Sequence, residues 1–376
     1  MLSKRAAAMA IVCAILAVSC SPGSNNGGTT STGGRAVRSG RPFPPERCAA
    51  NKAAGKITYL SGFDFAASAS IVDVLVAKQK GYFDALCLNV DVQASLSNDN
   101  YPLVAANQAQ FASSGSFSEI ATFAIGHPDA KVVVLAVEGK TANDALIVKA
   151  GEANTLDDLR GTTIGVKGTI TPSVRAMLAK AGLIDGIDYR TAAIDGFDPI
   201  VHISAPDIVG FTGYASNEPG RLDPAGIKYK LFVPSADGIP GSFGILYSNS
   251  TFIKEHPTAA QDFMRASMHG LSDAIANPAA ASMIALDFID NSGNRNALSP
   301  DAENYRWQTE SKLVTDSTPA TQPVGLPDPV GLRNEIAVYA KIGLFGGTAA
   351  NISALYDVSV VKGIYDPANK VIWPTK

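Results

Sequence analysis

The chain has 376 residues, 46% of them apolar and 17% charged. That is enough to bury the cores of two lobes. A net charge of −3 offers no basic surface for nucleic acid or for an anionic membrane. The first segment is not read as part of the fold. Lys4 and Arg5 form a short positive region, and Ala6 to Val18 is an apolar run of 13 residues, too short to span a bilayer. Together they read as an export signal over residues 1–19.

The signal ends in Leu16-Ala17-Val18-Ser19-Cys20, which resembles the lipobox of bacterial lipoproteins. That resemblance implies that Cys20 becomes the lipidated first residue. The protein would then be extracytoplasmic and touch the cell membrane only through its anchor. Ala17 stands where the motif more often has Leu, and a plain secretory signal is the alternative. Residues 21 to 47 hold little to bury, so segment 20–54 reads as a flexible tether. With Cys13 lost and Cys20 lipidated, Cys48 and Cys87 remain in an oxidising compartment, each just before an expected strand. A disulfide between them would close a loop of about 40 residues and stabilise by roughly 3–4 kcal/mol. Two free thiols are the alternative.

Lys56 to Leu60 reads as a strand and Ser61 to Phe65 as a loop. Ser68 is placed to cap a helix over Ala69 to Lys80, with Ile71, Val74, Leu75 and Ala77 on its apolar face. Leu88 to Val92 alternates as the next strand. This βαβ order predicts a parallel sheet. Asn100 to Gln108 and Phe117 to Gly126 read as helices around a short strand at Phe111 to Ser114. Lys131 to Val137 and Ala145 to Lys149 are apolar strands. Thr162 to Val166 is a short strand, Lys167 to Thr171 a loop, and Pro172 onward a helix that stops at Gly182. Such a loop lies where α/β sheets bind ligands. The free N–H groups of the helix start, with Thr169, Thr171 and Ser173, suit a polar or anionic group. Tyr189 to Ile194, Ile208 to Phe211, Tyr229 to Pro234 and Phe243 to Ser248 read as further strands. From Phe252 the chain turns helical, with later helices near 278–290, 300–315, 329–342 and 352–364.

Four stretches, in this order and spacing, resemble the substrate-binding proteins of bacterial ABC importers. They are Ala77 to Phe83, Asn89 to Val92, Asp158 to Gly161 with Ile164 to Val166, and Phe252 to Pro257. Within that group they are similar to the branch that takes up thiamine pyrimidine precursors, riboflavin, aliphatic sulfonates, taurine and nitrate. Cys87 departs from the Gly usual there. The resemblance implies an α/β fold of the two-lobed periplasmic-binding type (type II), each lobe a mainly parallel sheet flanked by helices, with the ligand cleft at the hinge. Lobe 1 would be 55–143 plus 251–376, and lobe 2 would be 144–250. Function would follow from lobe closure on a small molecule, delivered by a monomer to an ABC permease and ATPase.

Gly213 to Pro219 is similar to the pyrimidine- and flavin-binding members, in which an aromatic–Asn–Glu loop faces the heterocycle. Here those residues are Tyr214, Asn217 and Glu218. A carboxylate at Glu218 would accept N–H donors and repel an anion, which favours a thiamine pyrimidine precursor or a flavin over a sulfonate, taurine or nitrate. A ligand sensor without transport is a further alternative. Loops at strand ends add Phe63 and Phe65 for stacking, Asp64 as an acceptor, and Ser114, Gly115 and Ser116 as donors. Lys167 and Thr169 could hold a polar tail, and Glu138 is a weaker candidate.

No catalytic set emerges. Gly139-Lys140-Thr141 lacks the upstream glycine of a phosphate loop, since that position is Val134. The four histidines lack metal-ligand spacing, and no cofactor is implied. A related eukaryotic branch that makes the thiamine pyrimidine enzymatically carries a Cys-rich motif absent from this sequence. The expectation is a binding protein, not an enzyme.

Overall fold

The computed structural model describes residues 36–292 and 298–375. The expected signal, Cys20 and the first part of the tether lie outside them. From residue 36 the expected tether is already folded. Val37 is buried, and Pro45–Ala53 forms helix α1. Arg47 of α1 donates to both oxygens of the fully buried Asp262 at 2.6 and 3.0 Å, and Asn51 adds a third bond at 2.8 Å. Cys48, inside this helix rather than before a strand, pairs with Cys87 at a Cα–Cα distance of 5.2 Å. Low complexity ends before Pro45, and α1 folds because a buried carboxylate and a disulfide hold it.

The strands are β1 Lys56–Leu60, β2 Asn89–Gln93, β3 Phe111–Ser114, β4 Val132–Gly139, β5 Asp144–Lys149, β6 Thr163–Val166, β7 Arg190–Ala193, β8 Gly210–Tyr214, β9 Tyr229–Phe232 and β10 Phe243–Asn249. They form two sheets of the same plan, β2-β1-β3-β10-β4 and β7-β6-β8-β5-β9. In each, four strands run one way and a single inserted strand, β10 or β5, runs antiparallel. The fold is therefore the expected two-lobed α/β arrangement. One boundary differs. The strand at 243–249, assigned from sequence to the second lobe, pairs within the first sheet between β3 and β4. An apolar run fits either sheet, and only pairing chooses between them.

The chain thus crosses between the sheets twice, after β4 and before β10. The crossings touch: Phe243 pairs with Gly139, and a side chain at Gly139 would collide with the Phe243 ring.

Helices follow the strands. The first lobe carries α2 Val72–Gln79, α3 Tyr82–Ala85, α4 Ser97–Ala105 and α5 Phe117–Gly126; the second carries α6 Pro172–Lys180, α7 Pro199–Ser204 and α8 Pro219–Leu222. The helical tail comprises α9 Ser250–Glu255, α10 Pro257–Ala276, α11 Pro278–Ser292, α12 Pro300–Ser317, α13 Pro329–Lys341 and α14 Val358–Lys362. Every residue of α2 from Val72 to Ala77 is buried. Helix α10 packs so tightly on it that any side chain at Gly270 would strike the Asp73 carbonyl.

Two helix expectations change. Ser68 caps nothing. The helix starts at Val72, because the Ala67 and Ala69 N–H groups are drawn to Glu303 and Glu310 of α12. The expected helix at 352–364 shrinks to α14, since Val134 N–H bonds Leu355 O and holds residues 355–357 extended along β4.

Asp73 and Glu138 are both fully buried, and neither carboxyl receives a donor from another side chain or from a backbone N–H in hydrogen-bond geometry. Burial pushes Asp73 up to about 7, and burial together with the Asp73 charge pushes Glu138 well above the carboxylate range. Below about pH 7 both folded carboxyls therefore keep protons that the unfolded chain gives up near pH 4. Stability against urea is expected to fall as pH rises from about 4 to 7. Asp73→Asn should remove about one proton of that slope, ~1.4 kcal/mol per pH unit. An unchanged slope in Asp73→Asn would show Asp73 ionised in the folded state.

Candidate functional site

The loops after β1, β3, β6 and β8 all leave the carboxyl ends of their strands, and they carry the residues singled out from sequence. Phe63 follows β1, and its ring meets Phe197 of the second lobe edge-on at 5.3 Å between centroids. This is the one ring pair between the lobes among the described residues. Lys167, after β6, stands over the other ring at 5.7 Å. It also reaches Glu218 Oε1 at 3.3 Å. Tyr214 remains 39% exposed.

Glu218 differs from its expected role. Its carboxylate is fully buried and already committed: Oε2 accepts the Tyr214 N–H at 2.7 Å while Oε1 takes Lys167. It shapes its own loop instead of presenting an acceptor to a ligand. A side chain at Gly213 would overlap this carboxylate, which is why glycine stands there.

Two carboxylates missed from sequence lie beside it. Glu119 of α5 accepts from Ser116 N–H at 3.0 Å and Ser114 Oγ at 3.4 Å, and Tyr101 Oη shares a 2.7 Å bond with Ser114. Asp144, at the start of β5, accepts from Ser173 Oγ at the first turn of α6. The protein's own carboxylate thus sits at the helix start expected to hold a ligand anion. Burial raises Glu119 above its ordinary value. It pushes Asp144 up to about 6, with the Glu218 charge adding to the effect. Lys167 is the one cation ion-paired to any of the three acids among the described residues.

Other expected contacts are placed otherwise. Asp64 Oδ1 accepts its own Phe65 N–H at 2.8 Å, and Phe65 is buried. Ser116 is the N-cap of α5, in a capping box with Glu119. A side chain at Gly115 would meet the Glu119 carboxylate. Thr169 is exposed. Glu138 belongs to the buried pair with Asp73. The pattern Ser116-Phe117-Ser118-Glu119 is a capping-box signature, and it could have revealed Glu119. No group of metal-binding side chains occurs among the described residues, and none of their helices is long and apolar enough to cross a membrane.

Several side chains that join the lobes come from α12. Glu310 accepts from Ala69 N–H at 2.6 Å in the first lobe and from Ser216 Oγ at 2.8 Å in the second. It also accepts from Asn143 at 3.2 Å in the first crossing. Glu303 accepts from Ala67 N–H at 2.7 Å and grips Arg306 Nη1 with both oxygens at 2.6 Å. Arg306 stands 5.9 Å from the Phe63 ring centre and donates to Asn217 Oδ1.

A family profile described as NMT1/THI5 like matches residues 68–281. The chain belongs to the NMT1/THI5-like family. A riboflavin-binding protein, RibY of Chloroflexus aurantiacus, is 26% identical over 328 residues, covering 86% of each chain. Among solved structures, the sulfonate-binding protein SsuA of Methylobacillus flagellatus superposes with a TM-score of 0.57 at 16% identity, over 81% of this chain and 92% of that one. The desulfurization enzyme DszB superposes with a TM-score of 0.55 at 12% identity, over 79% and 95%. These likenesses show a shared fold. The NMT1/THI5-like profile covers both crossings and the loop from Tyr214 to Glu218, but stops before α12. The residues of α12 that join the lobes therefore lie outside the matched region.

Glu303→Ala is expected to cost about 3–5 kcal/mol, because it strands the buried Arg306 without a counter-charge. Urea unfolding measures this. A loss under about 1 kcal/mol would mean that Arg306 finds another partner.

Proposed function

We propose that this protein is the extracytoplasmic substrate-binding component of an ABC importer, and that it takes an uncharged or cationic nitrogen heterocycle of the flavin or pyrimidine kind. The observation that carries the ligand class is the set of three carboxylates at these strand ends: Glu218 on the Tyr214 N–H, Asp144 opposite Tyr214 in the sheet and Glu119 after β3, with Lys167 the one cation ion-paired to them among the described residues. An anionic sulfonate or nitrate would enter against uncompensated negative charge. A flat ring can stack on Phe63, Phe197 or Tyr214 and donate its N–H groups to Asp144 and Glu119. Ser173 and Ser116 each bond one oxygen of these acids, and in this reading the other oxygen faces the ligand. The family, and the riboflavin-binding relative RibY, support the same reading. In this proposal, lipidation at Cys20 keeps the protein at the membrane beside its permease, and closure of the lobes marks the loaded state.

The test is a thermal-shift and fluorescence titration of the purified protein with riboflavin, hydroxymethylpyrimidine, formylaminopyrimidine, thiamine, taurine, alkanesulfonates and nitrate. A true ligand at about a hundred times its Kd should add ~2.7 kcal/mol of stability. Asp144→Asn should weaken heterocycle binding roughly tenfold. Wild-type affinity should rise as pH climbs through about 6, where Asp144 becomes an acceptor-only carboxylate. Binding of a sulfonate or nitrate in place of any heterocycle would overturn the ligand class.

A further inference from the structure

We propose that Arg306 is a positioning residue of the ligand cleft. It fixes the side-chain amide of Asn217 so that an incoming molecule meets the NH2 end. The site would then select ligands that present a hydrogen-bond acceptor there, such as a ring nitrogen or carbonyl. This inference rests on the heterocycle reading given above.

The chemistry is one-sided. A guanidinium carries five N–H donors and no acceptor. Whatever Arg306 holds must offer an oxygen, so Asn217 is obliged to turn Oδ1 toward it. Arg306 itself has little freedom. It is buried to 4% exposure, both Glu303 oxygens grip Nη1, and the Phe63 ring lies on its flank.

The loop that carries Asn217 is equally constrained. Ser216 is bonded to Glu310, Glu218 to Tyr214 N–H and Lys167, and Asn217 N–H to Tyr214 O at 3.2 Å. With Oδ1 engaged by Arg306, Asn217 is half-buried and its Nδ2 makes no hydrogen bond to another described residue. Nδ2 and the Tyr214 hydroxyl are the side-chain donors of this loop that no described residue engages, and Asn217 is the one whose orientation Arg306 fixes. Asp144 and Glu119 supply acceptors nearby, so the cleft offers donor and acceptor together. That suits a heterocycle edge that alternates carbonyls with N–H groups.

The experiment is quenching of riboflavin fluorescence by the purified protein, with ligand-free thermal unfolding alongside. Asn217→Asp keeps an oxygen for Arg306 but deletes the NH2 group. The unfolding temperature should hold, and riboflavin affinity should fall ~10-fold or more. The fall should persist in about 0.5 M salt, where a purely electrostatic penalty fades. Arg306→Lys still offers only donors and should stay within about threefold of wild type, whereas Arg306→Met frees the amide to flip and should bind more weakly than Arg306→Lys. If Arg306→Met fails to fold, Asn217→Asp carries the test alone. Wild-type affinity in Asn217→Asp would overturn the inference and leave the heterocycle reading standing. A wild-type protein that neither quenches riboflavin nor gains stability with any pyrimidine would overturn both.

Discussion

A single carboxylate, Glu310, meets three separate stretches of chain. It takes a backbone N–H from the loop after β1, a hydroxyl from the loop after β8, and an amide from the first crossing. A buried charge left short of donors is costly, so these donors hold their places together. Glu303 lies seven residues earlier and therefore on the same helical face, with Arg306 between. It holds the neighbouring N–H of the first loop and the guanidinium that reaches Asn217. One face of α12 thus sets the relative positions of both cleft walls. The loop from Ala66 to Ser70 folds as a turn, and Ser70 adopts a positive φ of 64°, because these acids take its N–H groups.

The two sheets share one strand plan, and each contains one antiparallel strand placed next to a crossing. That exchange brings loops from the carboxyl ends of β1, β6 and β7 into contact through Phe63, Lys167 and Phe197. It also brings Gly139 and Phe243 together where the chain changes sheets. The fold is shared by proteins with different roles, a sulfonate-binding protein and a desulfurization enzyme among them. Ligand chemistry therefore has to be argued from the side chains in the cleft. In this chain they are acids, aromatics and amides. Their buried charge is tolerated because each acid has protein donors on at least one oxygen.

Sequence alone determined a good deal. Apolar alternation and turn residues gave the strands and most helices, because those signals are local: period, cap and breaker. Cysteine counting gave the Cys48–Cys87 pair, since few other arrangements remained. The order of short motifs pointed to the family. The sequence also named Phe63, which meets Phe197 of the second lobe, and Asn217, which accepts from Arg306. What only the tertiary structure decided were partnerships between residues far apart in the chain. Glu218 looks like a free acceptor until Lys167 and the Tyr214 N–H are found on it. Arg306 and Glu310 look like solvated charges on a helix until Asn217, 89 positions away, and Ser216 meet them. Strand β10 looks like the end of one lobe until it pairs in the other. A hydrogen bond depends on distance in space, and sequence spacing carries that information only within a few residues.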